Sequence, residues 1–551
     1  MENQSWIQTK RDRVNRFNLI LLLAFFLIAT LGIVNHEMWR DELQAWLIAK
    51  DSLSILEMLE NLKYEGHPAL WYLCLRLLSK LTDNPLIIQL FQLIIATIVV
   101  FIFIYYSTFN RLQKTLFCFG YFPLYEYGII SRSYSLGVLL TFSFCALLSR
   151  QNYNCVYLAF ILALLSHTSV YGIMLGFSLV IMLILAIAQD NHLSISNFFS
   201  QPSTVKKIVI SISIYFIGLL TAIAQIIPPV ETEHIDTIAP NIKLYELYED
   251  NSLTIIDKTL KSIRESEVAI TGIWRSYAPI PSFSANRQTW GSNILTNNSQ
   301  LPDIATINIG NLAAACISIL LFSIFIIVFF NQYKVLLAYI FGNLSIMFFS
   351  WTFKYPNIRH SGHLFILLIA CCWIYFYQVR SNKPILSSSN IANLCRKHYT
   401  ALLTIILCIQ LYAGIKMYSI DLIKPFSNSK SVAQFIKNNR LEELTIVGSK
   451  DIIVAPISAW LNRKIYYPGI QDFGTYTAVT KNLIERNRDI SQENIIREIE
   501  KLVDRDNKSL LLILSSDELQ KTSTFLNIAL LKSFDEDSIS EEQYFVYYIN
   551  L

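Results

Sequence analysis

The sequence predicts an all-α polytopic membrane protein of about eleven transmembrane helices, followed by a small C-terminal extracytoplasmic α/β domain. Three observations predict it. Of 551 residues, 53% are hydrophobic and only 16% are charged, with a mean hydropathy of +0.41, a balance that soluble domains of this length rarely sustain. Apolar runs of membrane length recur from residue 17 to residue 419. Beyond them the pattern changes to short β-rich runs separated by charged helical stretches.

The first element is basic and then apolar. Lys10, Arg11, Arg13 and Arg16 precede a run over 17–34. That run is long enough to span, and no small-residue cleavage site follows it, so it reads as a retained signal anchor. Further runs fall near 85–106, 155–188, 208–227, 309–330, 335–352, 363–379 and 399–419. The dense region 115–188 divides at Ser131-Arg132-Ser133, at Ser149-Arg150-Gln151-Asn152 and at Ser166-His167-Thr168, which brings the total to about eleven.

Loop charge sets the orientation. Basic residues gather at the N-terminus, at Arg111 and Lys114, Arg150, Lys206 and Lys207, Lys334, and through Arg380, Lys383, Arg396 and Lys397. Eleven spans put all of these on one side, and the positive-inside rule makes it cytoplasmic. The expected location is the plasma (inner) membrane, with the N-terminus inside and the C-terminal domain outside. Outer loops are then 35–84 and 228–308, the membrane domain is 1–420 and the soluble domain 421–551.

Within loop 35–84, Ala69–Leu81 is too short and too charged to span, and reads as an interfacial helix with Arg76 and Lys80 at headgroup level. In the tail, Leu444–Gly448, Lys464–Tyr467, Leu510–Leu514 and Tyr544–Tyr548 read as strands, and Ser491–Val503 as a helix. The tail has no glycine-rich phosphate loop and no nucleophile motif. A net charge of +4 is too small to imply a nucleic-acid partner. The nine cysteines lack metal or disulfide spacing and mostly read as small apolar residues in helices.

Four clusters carry candidate chemistry. Asp41 and Glu42 follow the first span directly, between Trp39 and Trp46. Acidic residues also suit a first helical turn, but carboxylates at a bilayer edge are costly enough to need a reason. Neighbours on a helix diverge by about 100°, so one would act as base and the other would orient it or bind a substrate hydroxyl. Glu65 and His67 lie later in the same loop, before Pro68, a pattern that also suits a helix start. Arg132 and Tyr134, preceded by Glu126 and Tyr127, fall at an expected outer boundary. There the guanidinium either snorkels or grips a phosphate. The run from Lys354 to His363 holds Arg359, His360 and His363, a basic group on a side where such residues are sparse. The two histidines alone make a weak metal signal. No metal site is assigned and no cofactor is called for, although a divalent metal remains open.

Trp39-Arg40-Asp41-Glu42-Leu43-Gln44-Ala45-Trp46, Glu65-Gly66-His67-Pro68-Ala69-Leu70-Trp71, Ser131-Arg132-Ser133-Tyr134 and Arg359-His360-Ser361-Gly362-His363-Leu364-Phe365 together resemble the GT-C superfamily of membrane glycosyltransferases. The resemblance is to the protein O-mannosyltransferase and aminoarabinose transferase group, including bacterial transferases that modify lipopolysaccharide sugars, and it covers the chain to about residue 420. It implies a sugar donor linked to polyprenyl phosphate, a hydroxyl acceptor on a glycan, lipid or protein, and inverting transfer on the outer face. It also implies a catalytic role for Asp41. Where many members carry a doubled proline, this chain has His67-Pro68-Ala69. Independently of the family, such a transfer needs a base for the acceptor and positive charge for the departing phosphate. Asp41 supplies the first; Arg132, with Arg359 or His360, supplies the second. The rival from another class is a lipid or glycolipid flippase, which would place its charges near the bilayer midplane.

Overall fold

The structure, a computed structural model, describes residues 2–63, 65–150, 152–191, 201–227, 265–282, 289–296, 309–353, 357–381, 390–449, 451–476, 492–506, 509–515, 526–535 and 538–550. Most of the expected outer loop 228–308, together with Tyr64, Lys354–Pro356 and Ser491, lies outside them.

In chain order the described helices are α1 (Glu2–Asn35), α2 (Arg40–Asp51), α3 (Ile55–Asn61), α4 (Leu70–Ser79), α5 (Leu86–Tyr106), α6 (Arg111–Cys118), a π-helix (Tyr121–Glu126), α7 (Tyr134–Leu148), α8 (Cys155–Ser166), α9 (Val170–Asp190) and α10 (Pro202–Ile226). They continue with α11 (Gly272–Tyr277), α12 (Ile309–Phe329), α13 (Tyr333–Phe353), α14 (Ile358–Ser381), α15 (Asn390–Ile423), α16 (Ser429–Asn438), α17 (Asp451–Leu461) and α18 (Gln492–Asp506). Among the described residues, eight helices are long and apolar enough to cross a membrane: those over Asn15–Asn35, Leu86–Tyr106, Val170–Asp190, Pro202–Ile226, Ile309–Phe329, Tyr333–Phe353, Ile358–Val379 and Lys397–Ile423. A 21-residue helix rises ~32 Å, matching a ~30 Å hydrocarbon core. The three other expected spans do not appear as helices of membrane length among the described residues: two of them hold only α7 (15 residues) and α8 (12 residues), and the third, over 115–131, is divided between α6 and the π-helix, where the chain turns at Phe119-Gly120 and Pro123 follows.

The chain divides into two compact units. The first comprises Met1–Ile33, Gln92–Ala224 and Glu249–Tyr418; the second comprises Val34–Phe91, Gln225–Tyr248 and Ser419–Leu551.

In the first unit α14 is the central helix. Of its span, 83% is buried, more than in any other candidate span. Phe103 stacks on Phe117 at 3.9 Å between ring centroids, and Phe142 and Trp373 close the cluster at 5.6 and 5.9 Å from Phe103. Gly414 lets α15 approach the chain before the π-helix: a Cβ there would lie 2.7 Å from the Phe119 carbonyl oxygen.

The second unit holds a six-stranded mixed sheet. Its strands are β1 (Thr445–Gly448), β2 (Ile465–Tyr467), β3 (Asp472–Gly474), β4 (Leu510–Leu514), β5 (Asn527–Phe534) and β6 (Tyr544–Asn550), in the order β3-β2-β1-β4-β6-β5. β1 pairs parallel with β2 and β4, and the other pairs are antiparallel. Side chains alternate between faces. Ile446, Leu511, Ile513 and Val546 pack with Val432, Ile436, Val454 and Ile457 of α16 and α17. Val447, Leu510, Leu512 and Leu514 pack with Ile495, Ile499 and Leu502 of α18. Covered on both faces, β4 is buried at every position, which explains its unbroken run of apolar residues.

Candidate active site

In the second unit, α2 begins two residues before Glu42. Trp39 is its N-cap, so Asp41 and Glu42 both sit in the first turn, where the helix dipole favours acids. Their environments differ sharply. The Asp41 side chain keeps 24% exposure, whereas the Glu42 side chain is completely buried. Glu42 Oε2 accepts the backbone N–H of Trp39 at 3.1 Å and meets His36 Nε2 at 3.1 Å. The other His36 nitrogen, Nδ1, meets Asp421 Oδ2 at 2.8 Å. Burial alone would lower the His36 imidazolium, but the Asp421 and Glu42 carboxylates outweigh it and hold the group at about 10. His36 is therefore charged at neutral pH and donates from both nitrogens. Glu42 is committed to this buried network, whereas Asp41 stays partly exposed, with Arg40 Nε 3.9 Å from its Oδ1.

α2 buries an apolar face made of Leu43, Trp46 and Leu47. Arg76 of α4 donates from Nη1 to the carbonyls of Ala49 and Ser52 at 2.9 and 2.7 Å. It thereby caps the C-terminal end of α2 with a cation, as helix ends favour. Glu65 and His67 lie half-buried on the turn between α3 and α4. Gly66 between them has φ +68, a left-handed conformation that glycine adopts freely.

In the first unit, Arg132, Tyr134, His360 and His363 are brought together. The Arg132 guanidinium lies 6.0 Å from the Tyr134 ring centre, and the Tyr134 hydroxyl lies 3.1 Å from His360 Nε2. Tyr171 stacks on both His360 and His363, at 5.1 and 4.8 Å. His363 Nδ1 donates to the His360 carbonyl at 3.0 Å. Arg359, His360 and His363 all fall in the first two turns of α14, where the helix dipole is positive. The Tyr127 hydroxyl donates to the Arg359 carbonyl at 2.6 Å, and Arg359 lies over the Trp290 ring at 5.8 Å. Trp290 Nε1 and the Tyr121 hydroxyl both donate to Glu126 Oε2, at 3.0 and 2.8 Å. The charges of Arg359 and Arg132 also act on Glu126. Among the described residues no three His, Cys, Asp or Glu side chains gather as metal ligands.

Sequence reasoning missed His36, Asp421, Glu542 and Trp290. It noted Glu126 only as a neighbour. His36, one residue past a membrane helix and six before Glu42, was a readable signal. Asp421 and Trp290 had no local pattern to mark them. Arg275 was also missed: it is fully buried in α11, and neither Nε nor Nη2 of its guanidinium is hydrogen-bonded.

The eight long apolar helices and the C-terminal mixed sheet define a multi-pass membrane protein with a folded α/β domain. Among solved structures it is similar to the aminoarabinose transferase ArnT from Cupriavidus metallidurans bound to undecaprenyl phosphate, with a TM-score of 0.48 and 10% identity over 96% of this chain and 97% of that one. No protein-family model matches the chain, and no curated protein matches it in sequence. At that level of likeness, function has to be argued from the residues themselves.

Proposed function

We propose that the protein is an inverting glycosyltransferase that moves a sugar from a polyprenyl-phosphate-linked donor to a hydroxyl acceptor on the outer face of the membrane. The observation that carries the reading is the division of labour at α2. Glu42 is sunk into the His36 network, and Asp41 keeps part of its side chain exposed in the first turn of a helix held at both ends. In the reaction the acceptor oxygen attacks the anomeric carbon opposite the leaving group, and its proton passes to Asp41. The bond from that carbon to the phosphate oxygen breaks, and polyprenyl phosphate departs with the electron pair. Arg132 and Arg359, near the positive end of α14, stabilise that phosphate, and Tyr134, His360 and His363 position it. Glu65 and His67, in the same loop as Asp41, bind the substrate beside it. The N-terminus lies inside and the C-terminal domain outside.

The test is a panel of undecaprenyl-phosphate-linked pentoses, hexoses and amino sugars, offered to the protein in nanodiscs with cell-envelope glycolipid as acceptor. Release of undecaprenyl phosphate that requires the acceptor and vanishes in Asp41→Asn is expected. No release from any donor, with accelerated flipping of the same lipids in vesicles, would replace this reading with the flippase.

A further inference from the structure

We propose that Glu542 is a positioning residue for Asp41: its carboxylate, carried by the C-terminal sheet, holds the first turn of α2 and sets where Asp41 points. The proposal rests on the reading of Asp41 as the base and assigns the C-terminal domain a part in the site.

The N–H groups of a helix's first turn have no partner within the helix. Here two of the N–H groups at the start of α2 are taken by acids. Glu42 takes that of Trp39, and Glu542 Oε1 takes that of Arg40 at 3.1 Å, from 502 positions away. Arg40 is the residue immediately before Asp41. The other oxygen, Glu542 Oε2, accepts the Ser427 hydroxyl at 2.5 Å and the Tyr544 hydroxyl at 3.4 Å.

Glu542 is itself held rigidly. It is 3% exposed. Its carbonyl accepts from Asn428 Nδ2 and the Ser538 hydroxyl. The turn before it is pinned by Ile539 and Ser540, whose N–H groups donate to the Pro425 and Phe426 carbonyls. Glu541 has φ 58, a left-handed conformation that an acidic side chain adopts only where its surroundings impose it. The far end of α2 is separately fixed by Arg76. Glu542 therefore acts on the first turn, where Asp41 sits.

Burial pushes the Glu542 carboxyl up to about 7, with the repulsion of Asp41 adding to it. The Ser427 hydroxyl, the Arg40 N–H and the Arg40 charge pull the other way, and Tyr544 completes the set of groups around it. Above about 7 the carboxylate accepts all three donors. Below it the carboxyl carries a proton, and the bond to Arg40 loses its charge assistance.

The experiment is carbodiimide labelling of carboxylates in the full chain in nanodiscs, read by mass spectrometry, with labelling of Asp41 normalised to exposed Asp83. It needs no substrate. Glu542→Ala is expected to raise Asp41 labelling several-fold, and Glu542→Gln, which keeps an acceptor for Arg40, to stay near wild type. In the wild type, labelling of Asp41 rises as pH falls through about 7; in Glu542→Gln it does not follow pH. Unchanged labelling in Glu542→Ala with the sheet intact by amide exchange overturns the proposal. If Glu542→Ala loses the sheet, the pH response decides, and equal responses in wild type and Glu542→Gln overturn it. Should the labelling shift as expected while Asp41→Asn still transfers sugar, the hold on α2 stands and the base assignment falls.

Discussion

His36 Nδ1 and Asp421 Oδ2 lie 2.8 Å apart across 385 positions of sequence, and the opposite nitrogen of the same ring meets Glu42. One buried imidazolium thus joins the end of the first membrane helix, the start of α2 and the end of the last membrane helix.

Replacing His36 tests this directly. His36→Gln leaves Glu42 and Asp421 buried without their shared cation, and breaking a buried pair costs about 3–5 kcal/mol. The pH dependence has a definite sign. A group raised on folding from its ordinary 6.5 to about 10 gives stability that is complete below about 6.5 and lost as pH rises through about 10. Wild type should therefore lose melting temperature in that alkaline window, and His36→Gln should start lower and lack that component. Thermal unfolding in detergent across the window checks both.

Asp41→Asn should cost about 10²–10⁴-fold in transfer, the usual range for a general base, with the melting temperature near wild type. Its side chain is partly exposed, its Arg40 contact of 3.9 Å is long, and exposed ion pairs contribute little to stability. Turnover close to wild type would remove Asp41 from the mechanism.

The membrane helices were legible because hydropathy over a 20-residue window depends on composition alone. The break between α6 and the π-helix was not, since Gly120 and Pro123 interrupt a run that stays apolar throughout. In the tail, β1, β2, β4 and β6 showed as β-rich runs. β5 was missed because it is an exposed edge strand with a bulge between Leu530 and Lys532, and β3 because it has only three residues. At the site, Asp41 and Glu42 were visible as a pair, but their unequal burial was not. Glu42 is buried against His36, which also meets Asp421, and Asp421 is brought there only by tertiary folding.

The orientation makes a separate prediction. Reporter fusions at residues 112 and 430 should fall on opposite sides of the membrane, the first inside, because basic loops flank the first position and none of the expected cytoplasmic loops follows the last span. The same side for both would defeat the assigned topology.

Arg132 and Arg359 should be separable by substitution. Both charges act on the buried Glu126, but their own contacts differ. Arg359 lies over Trp290 and its carbonyl holds Tyr127, so its loss disturbs packing as well as charge. Arg132 is only partly buried and lies beside Tyr134, so its loss should leave the fold largely intact. Arg132→Ala is expected to weaken binding of a polyprenyl phosphate and to slow transfer with it. Arg132→Lys should recover part of each, because lysine keeps the charge and lacks the fork that grips two phosphate oxygens. The measurement is lipid binding in nanodiscs over a range of salt. A phosphate contact shielded from solvent changes little with salt, whereas a surface headgroup anchor is screened over about 8 Å at physiological ionic strength. If Arg132→Ala binds the lipid as tightly as wild type, Arg132 is an anchor at the membrane surface and the phosphate falls to Arg359 and the start of α14.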